Sequence, residues 1–121
     1  MAVMRYLVAD VDASITFYNR LGFTLVQQFG PAMAIVRCDD LDLWLAGPAA
    51  SAARPMPDGR QPEPGGWNRV VVTLDDLRGR VEELRSDGVS FRNEIVTGPG
   101  GRQILCEDPS GNVVELFEPA S

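Results

Sequence analysis

The chain has 121 residues, of which 45% are hydrophobic, and its 11 arginines against 17 acidic residues give a net charge of −6 with neither lysine nor histidine. This length and composition fit one globular domain and exclude a disordered chain. The acidic balance repels phosphate, so we expect no nucleic-acid partner. No segment reaches the roughly 20 apolar residues of a membrane span. Residues 1–20 also lack the basic start and apolar run of a secretory signal, so we expect a cytoplasmic protein without a membrane partner.

The first half of the chain predicts the order β-α-β-β-β. A strand over residues 3–9 precedes a helix that Asp10 or Asp12 caps, because an aspartate side chain accepts from the free amides of a first helical turn. Gly22 stands where a left-handed residue would end that helix. The apolar face of the helix comprises Ile15, Tyr18 and Leu21, with Phe17 beside them. Strands follow at 24–29, 32–38 and 41–46, with a turn at Asp39 and Asp40.

Residues 46–66 interrupt the pattern, since they hold five prolines and four glycines in 21 positions. This composition predicts a linker or a long loop. A loop of that length is usually functional or crosses between two halves of a domain.

The second half repeats the order of the first. A strand over 67–74 leads to a helix that Asp75 and Asp76 cap and Gly88 ends. The apolar face of this helix comprises Leu77, Val81 and Leu84. Strands are predicted at 91–96, 103–107 and 113–118, with a turn at 108–112.

Matching positions indicate an internal duplication. Asp10 and Asp76 are 66 residues apart, whereas the closing strands, LDLWL at 41–45 and VELFE at 114–118, are 73 apart. We assign the seven-residue difference to the stretch Gly98–Gly101. The sequence thus predicts one domain over 1–121, with module 1 at about 1–46, the linker at 46–66 and module 2 at about 67–121.

The run TGPGGRQ at 97–103 combines glycines with an arginine, which can form a cradle for phosphate. It lacks the Lys-Ser/Thr pair of a nucleotide-binding loop and lies between strands instead of before a helix. A mobile flap or a simple turn is the better interpretation.

The segments VADVDASITFYNRLGF, VTLDDLRGRVEELRSDGV and EDPSGNVVELFEP together resemble the vicinal oxygen chelate superfamily, which includes glyoxalase I, bleomycin-resistance proteins and extradiol dioxygenases. The resemblance implies an α+β fold of two βαβββ modules that form a partial mixed β-barrel around a cleft, and a homodimer. It identifies the fold more sharply than the function, because this fold hosts enzymes and non-catalytic binders alike.

Metal-dependent members of that superfamily take one ligand from the first and last strand of each module. The resemblance places these positions at Val3, Asp42, Arg69 and Glu115. Valine has no donor atom and arginine stays protonated, so two carboxylates remain. We therefore expect neither a metal site nor another cofactor.

Side chains alternate across a strand, so neighbours two residues along share the cleft face. The residues expected to line a ligand site are Arg5, Asp42, Trp44, Arg69, Thr73, Glu115 and Phe117, with Val3, Leu7 and Val71 on the same face. The opposite face is apolar and packs under the helices. Arginines, acids and aromatics together are typical of a small-molecule pocket. Alternatively, Arg69 and Arg5 pair with Glu115 and Asp42 as a structural ion cluster, and the aromatic residues fill the core.

Three functions remain open. The first is a metal-free binder of a drug or metabolite, similar to bleomycin-resistance proteins that confer antibiotic resistance, for which the acidic charge and aromatic cleft suit an aromatic or cationic compound. The second is a metal-free lyase- or isomerase-like enzyme with Glu115 or Asp42 as catalytic base and Arg69 as electrostatic stabiliser. The third is an interaction module whose cleft is vestigial. An acid unpaired in an open site would favour the enzyme, and paired charges beside an open aromatic surface would favour the binder.

Overall fold

The computed structural model describes residues 1–121. Its contacts divide the chain into two compact units, residues 1–65 with 109–112 and residues 66–108 with 113–121. Each unit contains one helix and one mixed sheet, and neither sheet closes into a barrel. The α+β class and the duplicated β-α-β organisation predicted from the sequence are confirmed. Neither helix has the length and apolar character needed to cross a membrane.

The first unit follows the predicted order closely. Its elements are β1 (Met4–Leu7), α1 (Val11–Arg20), β2 (Thr24–Phe29), β3 (Met33–Cys38) and β4 (Leu41–Ala46). The sheet order is β1-β4-β3-β2, with β1 parallel to β4 and the other pairs antiparallel. Helix α1 packs on one face of this sheet, where Leu43 and Leu45 are fully buried. The other face of the sheet therefore carries the side chains that remain accessible.

Local sequence signals determine the ends of α1. The Asp10 side chain accepts from the amide of Ala13, as an N-cap does. Gly22 has φ +96°, which allows the chain to leave the helix at the predicted position. Tyr18 is fully buried and packs edge-on against Phe23, with ring centroids 5.4 Å apart. This packing fixes the helix to its sheet.

The second unit differs from the first in its second strand. Its elements are β5 (Val70–Thr73), α2 (Leu77–Ser86), β6 (Ser90–Phe91), β7 (Val96–Gly98), β8 (Gly101–Glu107) and β9 (Val113–Pro119). The sheet order is β5-β9-β8-β6, and β7 also pairs with β8. The single strand predicted over 91–96 was wrong, because the Asn93 side chain accepts from the Leu105 amide at 3.0 Å and replaces a ladder bond. Residues 92–95 consequently leave the regular ladder.

Helix α2 is held at its start by two carboxylates. Asp76 caps it from a left-handed conformation, φ +46°, and accepts from the amide of Gly79. Glu118 of β9 accepts from the Leu77 amide at 2.7 Å. The predicted apolar face is confirmed, because Leu77, Val81 and Leu84 are all buried. The helix is thus fastened to its sheet by charge as well as by packing.

The two glycine-rich segments form turns and loops. Gly98 and Gly101 face each other across the β7–β8 hairpin, which leaves a two-residue turn between them. The simple-turn interpretation is therefore confirmed. In the segment predicted as a linker, the one helical stretch is a short 3₁₀ turn at Ser51–Ala53.

The turn at 109–112 belongs by its contacts to the first unit. The Asn112 side chain donates to the Leu7 carbonyl at 2.7 Å and accepts from the Gly65 amide at 2.8 Å. The Ser110 hydroxyl accepts from the Ala9 amide at 2.8 Å. Backbone groups at the end of β1 therefore obtain partners from side chains 101 to 105 residues away.

Candidate functional site

The predicted site residues occupy the accessible faces of the two sheets. Arg5, Asp42 and Trp44 lie in the first unit, and Arg69, Thr73, Glu115 and Phe117 lie in the second. We call the accessible face of the first sheet the Trp44 face; its central residues are Arg5, Ile35, Arg37, Asp42 and Trp44. The corresponding Glu115 face of the second unit comprises Arg69, Val71, Thr73, Leu105, Glu115 and Phe117.

Strand register places three side chains in one row on the Trp44 face. Trp44 stands opposite Arg5 in β1 and opposite Ile35 in β3. The Arg5 guanidinium carbon lies 5.1 Å from the centre of the Trp44 ring, a cation–π contact. Arg5 is exposed, and Trp44 and Ile35 are partly buried. The row therefore forms an accessible surface of one cation and apolar side chains.

Asp42 is paired, although its partner differs from the one predicted. Arg37 donates to both carboxylate oxygens, at 2.5 and 3.0 Å, whereas Arg5 does not contact it. The alternative Arg5–Asp42 pair was therefore wrong, because Arg37 of β3 stands directly opposite Asp42 whereas Arg5 stands opposite Trp44. The hydrogen bonds from Arg37 lower the pKa of Asp42. Asp42 is consequently a weaker base than an ordinary aspartate.

A sequence signal for Arg37 existed and was overlooked. The predicted two-residue turn at Asp39 and Asp40 fixes the register of its hairpin, and that register sets Arg37 opposite Asp42. Antiparallel neighbours on one face come within reach of a side-chain ion pair.

The indole nitrogen of Trp44 is the one buried side-chain nitrogen or oxygen that lacks a hydrogen-bond partner. Trp44 Nε1 is buried and has no hydrogen-bond partner. A buried donor left unpaired costs about 1–3 kcal/mol. An acceptor that reaches this N–H therefore gains more than it would at an exposed tryptophan.

The Glu115 face contains the ion pair expected from the sequence. Arg69 binds Glu115 through two nitrogens, at 2.9 and 3.0 Å, and Arg69 also donates to the Trp67 carbonyl at 3.4 Å. Glu115 is 8% exposed. Beside the pair, Val71 is 50% exposed and Thr73 is exposed, so this part of the sheet is not filled by its own side chains.

A second cluster in this unit was not found from the sequence. The Arg92 guanidinium lies 4.5 Å from the Trp67 ring centre, and it is fixed by Glu107 at 2.7 Å and by the Gly66 carbonyl at 2.9 Å. Trp67 is 68% exposed. The sequence did not indicate this cluster, because Trp67, Arg92 and Glu107 are far apart in the chain and meet only in the folded unit.

Register also corrects the alignment of the two modules. Arg5 of the first module corresponds to Val71 of the second, 66 residues later. Arg5 stands opposite Trp44 and Val71 stands opposite Glu115, so Trp44 corresponds to Glu115 and the closing strands are 71 residues apart. The offset of 73, which equated Asp42 with Glu115, was wrong. A two-residue shift preserves the alternation of inward and outward side chains, so the sequence pattern does not distinguish the two alignments.

The residues at the four predicted metal-ligand positions do not fit a metal ion, and neither does Trp44, which the corrected offset matches to Glu115. Val3 offers no donor, and Arg69 is a permanent cation that occupies Glu115. Both oxygens of Asp42 accept from Arg37. No cluster of three or more His, Cys, Asp or Glu side chains occurs elsewhere in the chain.

One open groove lies apart from both faces. It has a volume of about 420 Å³ and is lined by the β7–β8 hairpin and the chain end, with Arg102 and Glu118 paired at 2.7 Å along one wall. None of the predicted site residues lines it. Its charges are already neutralised, so we do not assign the site there.

Acid should destabilise the fold through Asp42 and Glu118. Hydrogen bonds from Arg37 and from the Leu77 amide, respectively, lower the pKa of each carboxyl group in the folded chain. Their stabilisation is complete above the ordinary carboxyl pKa of about 4 and is lost as the pH falls through the lowered values. We therefore expect the unfolding temperature, measured by circular dichroism, to decrease once the pH drops below about 4.

Arg37→Gln should weaken this dependence, because it removes the cause of the low Asp42 pKa. Arg54→Gln, at an exposed arginine in the 46–66 segment, is the matched control. If the unfolding temperature of Arg37→Gln depended on pH as that of the parent chain does, Asp42 would not be a source of the acid sensitivity.

Comparison with known proteins places these features in a family. A model of the glyoxalase/bleomycin resistance protein/dioxygenase superfamily matches residues 2–116. No curated protein matches the chain. A superfamily member from Sphaerobacter thermophilus is 26% identical, with TM-score 0.70 and coverage of 98% of this chain and 97% of that one.

Two further solved structures share the fold at lower identity. A bleomycin-binding protein complexed with bleomycin is 23% identical, with TM-score 0.64 and coverage of 99% and 98% of the two chains. A genomically encoded fosfomycin resistance protein from Listeria monocytogenes is 13% identical, with TM-score 0.74 and coverage of 99% and 93%.

Proposed function

Since the chain belongs to the glyoxalase/bleomycin resistance protein/dioxygenase superfamily, we propose that it is a metal-free binding protein that holds an aromatic drug or metabolite. One observation carries this proposal. Both candidate bases are engaged by arginine, Asp42 by Arg37 and Glu115 by Arg69, while the aromatic and apolar side chains beside them stay accessible. Such a surface recognises a ligand without offering a free base.

Acid–base catalysis is the less favoured function. A general base needs a pKa near the working pH and access to the substrate proton. The pKa of Asp42 is lowered by the hydrogen bonds from Arg37. Glu115 is buried and is bound by Arg69, so its carboxylate is not open to a substrate proton.

Relatives that bind or resist drugs support an antibiotic or a similar compound as the ligand class. The bleomycin-binding protein shares the fold across nearly all of both chains. Partly accessible aromatic and apolar side chains such as Trp44 suit the planar part of such a compound.

We further infer a cytoplasmic homodimer. Both cysteines are free, which suits a reducing compartment. Strand β2 is an edge strand exposed along its whole length, with Leu25, Val26 and Phe29 each more than 40% exposed. An apolar edge of this kind is usually covered, and a second copy would cover it.

Native mass spectrometry of freshly purified protein tests the function. We expect the dimer mass without a stoichiometric metal ion, and an organic adduct that Trp44→Ala loses. Met56→Ala, which removes an exposed apolar side chain of the 46–66 segment, is the control and should keep the adduct. A stoichiometric metal ion would overturn the metal-free assignment, and an adduct that survives Trp44→Ala would overturn the assigned surface.

A further inference from the structure

We propose that the Trp44 face binds the anionic group of an aromatic acid, a carboxylate, sulfonate or phosphate, through the Arg5 guanidinium and the Trp44 indole N–H. This inference rests on the proposed binding function and narrows its ligand class. It opposes the cationic ligand that the net charge of −6 suggests.

The local charge of the Trp44 face is opposite in sign to that of the chain. Its charged residues are Arg5, Arg37 and Asp42, which sum to two positive charges and one negative charge, a net +1. Arg37 and Asp42 neutralise each other through two hydrogen bonds. Arg5 is the charge that remains.

Arg5 is free to bind a ligand. It is exposed and forms no ion pair, and its contact is with the Trp44 ring. A guanidinium that stacks on an aromatic ring keeps its N–H donors in its own plane, where they match the two oxygens of a carboxylate or phosphate. The cation–π contact thus holds the Arg5 guanidinium beside the ring without using its N–H donors.

Trp44 supplies a second donor and no acceptor. Its buried Nε1 has no partner, and an indole N–H donates only. Arg5 is exposed whereas Trp44 Nε1 is closed to solvent, so an anion binds Arg5 first and reaches the indole N–H when the Trp44 side chain shifts. Both donors favour a ligand group that accepts hydrogen bonds. Ile35, on the other side of Trp44 in the same row, offers an apolar contact for a planar ring.

The Glu115 face does not share this preference. Its ion pairs, Arg69 with Glu115 and the adjacent Arg92 with Glu107, contain two positive and two negative charges and sum to zero. Each of these arginines therefore already has a carboxylate partner. The selectivity for an anion belongs to the Trp44 face alone.

The two tryptophans of the chain make the test direct. In ¹H–¹⁵N spectra they give two indole signals, which Trp67→Phe assigns. The full chain is titrated with 2-naphthoate and with N-methylquinolinium, planar probes of similar size and opposite charge. We expect 2-naphthoate to shift the Trp44 indole signal and N-methylquinolinium to leave it in place.

Arg5→Gln should raise the dissociation constant of 2-naphthoate about tenfold, the usual effect of losing a charge-assisted hydrogen bond. Arg54→Gln makes the same charge change in the 46–66 segment and should leave the constant unchanged. A circular dichroism spectrum and an unfolding temperature equal to those of the parent chain show that Arg5→Gln retains the fold.

The outcomes separate this inference from the proposed function. A Trp44 shift with N-methylquinolinium alone would overturn the anion preference and keep the binding function. Equal loss of affinity in Arg5→Gln and Arg54→Gln would also overturn it, since the effect would then be one of net charge. No shift with either probe, together with no retained adduct in the mass spectrum, would overturn both.

Discussion

Gly101→Ala should destabilise the protein by about 2–4 kcal/mol. A Cβ atom at this position would overlap the Glu118 carbonyl oxygen and come within 3.0 Å of the Ala120 nitrogen, and both are backbone atoms that cannot rotate away. Gly101 also has φ +146°, a conformation that side chains other than glycine rarely adopt. Overpacking and an unfavourable backbone conformation each cost about 1–3 kcal/mol.

Thermal or urea unfolding of Gly101→Ala measures this loss, which is a large part of the 5–15 kcal/mol that stabilises a typical domain. Gly100→Ala is the matched control, since it lies in the same hairpin with nothing within 4 Å of the added Cβ. We expect it to change the stability by less than about 1 kcal/mol. Equal stability losses in the two variants would contradict the described hairpin geometry.

Glu115→Ala should cost about 1–3 kcal/mol of stability, because it leaves the Arg69 guanidinium without its carboxylate on a largely buried surface. Glu115→Gln should keep the fold, because the amide oxygen still accepts from Arg69. A Glu115→Gln variant that unfolds outright would assign Glu115 to a structural role and remove it from the candidate site.

The double variant Arg69→Met/Glu115→Leu completes the cycle. Replacing both partners with apolar side chains of similar volume should recover most of the loss, since the pair gains little beyond its own desolvation cost. Urea unfolding of Arg69→Met, Glu115→Leu and the double variant measures the coupling. If the double variant loses as much stability as the two single variants together, the side chains are not coupled and the assignment of the Arg69–Glu115 ion pair is wrong.

Features set by neighbouring residues were determined by the sequence alone. Asp10 and Asp76 cap their helices and Gly22 and Gly88 follow the helix ends, as predicted. These outcomes depend on hydrogen bonds and φ angles within a few residues. The duplicated order and the family followed from the same local signals, repeated at a constant spacing.

Tertiary structure decided which charges meet. The Arg37–Asp42 pair joins residues five apart and was accessible to hairpin reasoning, whereas the Arg92–Trp67 contact depends on an irregular segment that no periodicity reveals. The 71-residue offset of the closing strands was likewise undetermined, since alternation repeats every two residues.

The sequence therefore determined the fold and the residue types of the candidate site, because helix caps, turns and alternating side chains are local properties. Only the tertiary structure decided that Arg5 lies against the Trp44 ring and that the buried Trp44 N–H has no partner. An ion pair depends on distances across strands, and those distances are fixed by register and by the packing of the whole sheet.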